Sequence, residues 1–245
     1  MRQSNDFLDR PAPSPPEDGG RGVLQGAFGL LEAVDRAGEA RLTQLAAQSG
    51  LPKSTTYRLL EQLIELGAVQ RCGSGYRMGP RMFRLGQEWQ PHPGLRAAAR
   101  EPVRRLAAVT STTVGISVLW EGQTLVMHWA SGGDNALAPP RRGTPLPWFT
   151  AAGKVLVSGA HPALPLDPLP AAWRREAAEI RDHGVAFDRE EVTAGVCCVA
   201  VPLHSAGGVP VASLCVLTDP AQNLEHLADA VRLTGRAISA GLRGR

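Results

Sequence analysis

Two short apolar periodicities face each other across the helix-stopping tract Ser49-Gly50-Leu51-Pro52. Leu42, Leu45 and Ala46 recur at helical spacing and stop at Gly50. Pro52, tolerated in the first turn of a helix, opens a second segment whose Leu59, Leu60, Leu63, Ile64 and Leu66 return at three- and four-residue steps before Gly67 ends it. Neither segment can bury its stripe alone, so the sequence predicts two helices packed around a tight turn. A helix from Val23, carrying Leu24, Ala27, Phe28, Leu30, Leu31 and Val34 on one face, precedes them and ends at Gly38. Ala68–Arg71 and Tyr76–Met78, around Gly73-Ser74-Gly75, follow as a hairpin or wing.

The second helix of the pair is polar where it starts. Lys53, Ser54, Thr55, Tyr57 and Arg58 precede its leucines, and in a DNA-reading helix-turn-helix this part enters the major groove. Hydroxyls there reach phosphates or base edges, and a guanidinium suits guanine or phosphate. Arg71, Tyr76 and Arg77 would set the wing beside the sugar-phosphate backbone. Between Ala40 and Leu85 seven Arg or Lys stand against Glu61 and Glu65, a local +5 in a chain of net charge +3. Double-stranded DNA is therefore the expected partner of residues 23–85. The plainer alternative is a helical hairpin in which Ser54 and Thr55 cap the helix and Arg58 is solvated.

Residues 1–22, with Pro11, Pro13, Pro15 and Pro16 and almost nothing apolar, read as a disordered tail. After Pro80 a helix runs to about Trp89, and after Pro91 and Pro93 another runs from Leu95 to Leu106 with Pro102 as a break, making 86–100 a helical linker. From 101 to 245 the pattern is α+β. Val114, Ile116 and Val118 alternate, Glu121-Gly122 turns, and Thr124–His128 return. Val196–Leu203 and Pro210–Leu217 flank a Ser205–Gly208 turn, with helices at 150–158, 171–183 and 223–242.

Several classes of function fall away. No uncharged apolar run reaches the length of a membrane span, and the N-terminus lacks the order of a signal peptide, so a soluble, cytoplasmic protein is expected with no membrane partner. Cys72, Cys197, Cys198 and Cys215 have no CxxC spacing, and the six histidines have no ligand spacing, so no metal or cofactor is expected. Gly153-Lys154 is followed by Val155, with Trp148 where a phosphate loop needs glycine, and GxSxG and HExxH are absent. No catalytic residues are assigned; the chain reads as a non-enzyme.

The run LTQLAAQSGLPKSTTYRLLEQLIELGAVQR, then GYRMGPRMFRLG, resembles the DNA-binding half of the IclR family of bacterial transcriptional regulators. RRGTPLPWFTAAGKVLVSG (141–159) and DREEVTAGVCCVAVPL (188–203) resemble its second half. The resemblance implies a winged helix-turn-helix joined to a GAF-like effector domain, an antiparallel sheet flanked by helices whose pocket takes a small organic acid or aromatic metabolite. It places pocket residues at Asp188 and Cys198, and the backbone of Ala151, Ala152 and Gly153 at a helix start would suit a carboxylate. Cys215 and Leu217 stand where family members often present serines, so with Trp148 and Phe149 nearby an aromatic or otherwise apolar acid is favoured. Asp188 is equally read as a turn cap, Cys198 as a small buried hydrophobe, and Trp120 and Trp129 as core or as pocket wall. A thiol- or metalloid-responsive regulator using vicinal Cys197-Cys198 is the rival sensor, although on a strand the two point oppositely. A homodimer or tetramer on an approximately palindromic operator is expected, with the effector acting on the recognition helices through 80–100.

Overall fold

The structure, a computed structural model, describes residues 22–134, 136–140, 143–159 and 171–243. The tail reading of 1–22 therefore lies outside the described residues except at Gly22, as do Arg141, Arg142 and His161. The chain separates between Trp89 and Gln90 into two compact units.

The first unit runs α1 (Val23–Ala37), β1 (Glu39–Arg41), α2 (Leu42–Ser49), α3 (Lys53–Glu65), β2 (Val69–Cys72), β3 (Gly75–Met78) and α4 (Pro80–Glu88). α2 ends where Gly50 turns left-handed at φ 64°, a conformation that costs other residues a Cβ clash. The three stripes meet as expected: Leu30, Leu31 and Val34 pack with Leu45 and with Leu59, Leu60 and Leu63. β1, which no periodicity announces, pairs with β3 through Glu39↔Arg77 and Ala40↔Tyr76, so the wing is a three-stranded sheet in the order β1-β3-β2.

The second unit runs α5 (Leu95–Thr110), β4 (Thr113–Trp120), β5 (Gln123–Ser131), β6 (Pro145–Leu146), α6 (Ala151–Ser158), α7 (Trp173–His183), β7 (Ala186–Arg189), β8 (Cys197–His204), β9 (Pro210–Thr218) and α8 (Leu224–Arg243). Its strands form one antiparallel sheet in the order β6-β5-β4-β9-β8-β7. α5 does not break at Pro102, contrary to expectation. Proline removes one N–H donor, but Leu95, Ala99, Val103, Leu106 and Ala107 are all buried along the helix, and that packing holds it continuous.

Period-two alternation divides the sheet into two faces. Val114, Ile116, Val118, Val199, Val201, Leu203, Leu214 and Val216 pack against α5 and α8. The residues between them face α6 and α7, and it is this second face that sets the candidate sensor site.

Candidate functional site

On α3, Leu59, Leu60 and Leu63 turn inward while Lys53, Ser54, Tyr57 and Arg58 lie exposed and Thr55 half-buried. Thr56 is fully buried, its hydroxyl donating to the Pro52 carbonyl at 3.0 Å. The exposed residues sit at spacings of one, four and five, one side of a helix free of core duties. Pro52 occupies the N-cap with no side-chain cap bond, so Ser54 and Thr55 are not spent as caps.

The wing differs from expectation. Tyr76 is 5% exposed and packs in the core of the first unit, so its ring supports the wing from inside and does not stand at its surface. Arg71, opposite Tyr76 in the β2–β3 register, lies 5.5 Å over that ring and is hydrogen-bonded and ion-paired to Glu61 of α3. It ties the wing to the second helix of the motif, leaving Arg77 exposed.

In the second unit, register aligns the candidate effector residues in rows. Asp188, Cys198, Leu217 and Thr113 are consecutive cross-strand partners, and so are Ala186, Ala200, Cys215, Gly115 and Trp129. Directly opposed residues point to the same side, so Asp188, Cys198, Cys215 and Leu217 share one face. Ala151, Ala152 and Val155 of α6 pack on it, with Trp148 and Trp173 in edge contact at 4.9 Å between ring centroids. The floor combines Cys198, Cys215, Ala200 and Gly115 with the buried polar side chains of Asp188, Thr113, Ser117 and Ser213. Trp129 belongs to this face, while Trp120 ends β4 at 53% exposure, neither core nor wall.

Gly153 is constrained more tightly than a carboxylate cradle requires. Its N–H already donates to Thr150 Oγ1 at 3.1 Å, so it is not open to a ligand. A Cβ there would lie 2.2 Å from the Trp148 carbonyl oxygen and 2.4 Å from Thr124 Oγ1. Thr150 is the N-cap of α6 and also donates to the Pro147 carbonyl at 3.2 Å. Thr150→Ala is expected to destabilise the protein by about 1 kcal/mol, seen as a lower urea midpoint at unchanged slope, with Thr150→Ser restoring it.

Asp188 takes the turn-capping role: its Oδ1 accepts the Glu191 N–H at 2.8 Å. Burial pushes its carboxyl above the usual range, against the pull of that bond and of Lys154. Cys197 and Cys198 point to opposite faces, so the vicinal pair presents no common site. The thiol that shares a face with Cys198 is Cys215, and that neighbour together with burial pushes Cys198 well up, keeping it a thiol.

Lys154, which Val155 excludes from a phosphate loop, has a structural role that the sequence does not announce. It is 4% exposed, with Nζ 2.8 Å from Glu176 of α7 and 2.6 Å from Glu191, and it donates to the Phe187 carbonyl at 3.3 Å. Burial alone would lower its pKa, but the two carboxylates reverse that and the net displacement is upward from 10.5. It pins α6 to α7 and to the turn after β7. The one signal was a lone lysine within the apolar stretch Ala151–Val157; its partners lie too far away in sequence to be read.

Comparison with known proteins agrees with this architecture. Residues 23–72 match the IclR helix-turn-helix domain, and residues 169–240 match the C-terminal domain of the bacterial transcriptional regulator IclR. The HTH-type transcriptional regulator Rv1719 of Mycobacterium tuberculosis is 31% identical over 210 residues, 76% of this chain and 78% of that protein. The HTH-type transcriptional regulator BhcR of Paracoccus denitrificans is 28% identical, covering 94% of this chain and 90% of its own. Among solved structures, an IclR homologue from Microbacterium hydrocarbonoxydans complexed with 4-hydroxybenzoate aligns with a TM-score of 0.82 at 23% identity, over 91% of this chain and 100% of that one. At that identity the likeness is one of fold.

Proposed function

Because the chain belongs to the IclR family of bacterial transcriptional regulators, we propose that it holds an approximately palindromic operator as a homodimer or tetramer and changes its grip when an aromatic or otherwise apolar organic acid occupies the α6 face of its sheet. It is a regulator, not an enzyme, and it works in the cytoplasm, where its DNA is. Residues 23–85 read DNA, 86–100 link, and 101–245 sense.

The observation that carries the reading is the division of α3 into a leucine side buried in the core and an exposed side of Lys53, Ser54, Tyr57 and Arg58. On the sensor side, the row of Ala200, Cys215 and Gly115 offers a ring more contact than hydrogen bonds, which supports an apolar acid. The 4-hydroxybenzoate bound by the Microbacterium homologue is in keeping with that class. Differential binding of the acid to two arrangements of the sensor would be transmitted through the helical connector 80–100.

The DNA half is tested by fluorescence anisotropy on a duplex from the upstream intergenic region against a scrambled duplex at physiological salt. Arg58→Ala is expected to weaken upstream binding by about 1–3 kcal/mol and to leave scrambled binding nearly unchanged. Lys53→Ala should weaken both alike and reduce the salt slope by about one. Equal losses on both duplexes for Arg58→Ala would overturn its assignment to a base.

A further inference from the structure

Where β7 runs out, the sheet is left open. β7 pairs with β8 only as far as Ala186 opposite Ala200, so among the described residues no strand pairs with Val201–His204 on that side, and Pro202 brings no N–H to the edge. α8 passes over this stretch with Arg232, Arg236, Ser239 and Arg243 spaced four, three and four residues apart, a single stripe of the helix. The end of α7 supplies His183. Together they line a cavity of about 200 Å3 whose described lining carries three arginines and two histidines, the second being His204, and no carboxylate.

The polar groups are positioned. Arg232 donates to Asp229 Oδ1 at 3.2 Å and to the His183 carbonyl at 3.4 Å; Asp229 itself stands outside the lining, 83% exposed. Ser239 is buried and its Oγ accepts the His204 N–H at 3.0 Å, which leaves the hydroxyl proton to give to another acceptor. His204 is held below its ordinary range, first by burial and then by the charge of Arg243. Arg236 and Arg243 add a positive potential to the concavity that no described lining carboxylate offsets, and this favours entry of an anion.

The geometry points to a second ligand site in the C-terminal unit, on the α8 side of the sheet, for a small phosphate-bearing anion. It is separate from the organic-acid face, because Val201 points toward α8 while Cys198 and Ala200 point toward α6. Guanidinium forks match phosphate oxygens in pairs, and the volume suits inorganic phosphate or a small phosphorylated metabolite. DNA carries the same phosphate chemistry, so the test must separate the two sources.

Isothermal titration calorimetry of the full chain with inorganic phosphate and with pyrophosphate, at constant ionic strength, gives that separation. Saturable binding of one anion per chain is expected, tighter for pyrophosphate. Arg236→Ala and Arg243→Ala should each weaken it about tenfold with unchanged thermal melting, since both side chains are exposed, and Lys53→Ala should leave it intact. Heats that follow ionic strength without saturating, or affinities unchanged in both arginine variants, overturn the site. No pyrophosphate binding, with scrambled-duplex affinity lost in Arg236→Ala, would assign the groove to the DNA backbone and overturn the free-anion proposal.

Discussion

Gly153→Ala is expected to lower the melting temperature by roughly 6–12 °C, about 3 kcal/mol in a unit of this size. The added methyl would meet the Trp148 carbonyl oxygen at 2.2 Å and Thr124 Oγ1 at 2.4 Å, and the first is backbone that cannot rotate away. α6 must then lift from the sheet, breaking the Thr150 cap and loosening the Trp148–Trp173 contact beside it. Binding of any organic acid there should be lost with it. Gly29→Ala supplies the contrast. That glycine lies inside α1, where a Cβ meets nothing within 4 Å, so alanine should be neutral or stabilise by up to about 1 kcal/mol. Calorimetric melting checks both, and a Gly153→Ala protein that melts like the parent would mean that α6 does not approach the sheet this closely.

The double variant Glu176→Gln, Glu191→Gln should be the other large loss. It strands the Lys154 ammonium in a site where it is 4% exposed. Breaking a buried pair costs about 3–5 kcal/mol, and because the two carboxylates are 42% and 44% exposed the lower end applies, about 3 kcal/mol. pH gives the diagnostic. In the parent, the folded pKa of Lys154 lies above 10.5, so its contribution is fully present below 10.5 and is lost only as pH rises through the raised value. In the double variant only the Phe187 carbonyl and the attraction of Asp188 are left against burial, so the folded pKa falls below the unfolded one and stability recovers as pH climbs through it. The gap between the two proteins in urea unfolding should therefore be widest near pH 7 and narrow toward pH 10. Lys154→Met, which removes the charge along with the need for partners, should cost far less. A gap that does not change with pH would trace the loss to something other than the stranded charge.

Much of the first unit was legible because its signals are local. Gly38, Gly50, Pro52 and Gly67 bound helices whose apolar stripes must meet, and the bounds found for α1 to α3 follow them. The alternation of Val114, Ile116 and Val118 likewise gave β4 and, with it, the face that α5 and α8 cover. What escaped is what only tertiary pairing creates. β1, β6 and β7 have three, two and four residues, too few to carry a period. Pro102 reads as a break because the sequence does not show the sheet beneath α5. Tyr76 carries a hydroxyl that suggests a surface, and only the wing's third strand shows its ring turned inward. The sensor face was half readable. Cys198, Asp188, Cys215 and Leu217 came from the family resemblance, and register places them on one side. The clasp of Lys154 by Glu176 and Glu191 joins residues 22 and 37 positions away, and no spacing rule links them.

The central claim, that an acid on the α6 face governs the grip of α3 on DNA, is tested most directly by one titration. Anisotropy of the full chain on its upstream duplex is followed as benzoate and hydroxybenzoates are added at fixed ionic strength. The predicted result is a saturable change in operator Kd of roughly 5- to 150-fold for at least one acid, with the same acid raising the melting temperature and leaving scrambled-duplex binding unmoved. Specific operator binding that no acid of the panel shifts, together with a melting temperature that none of them raises, would contradict it.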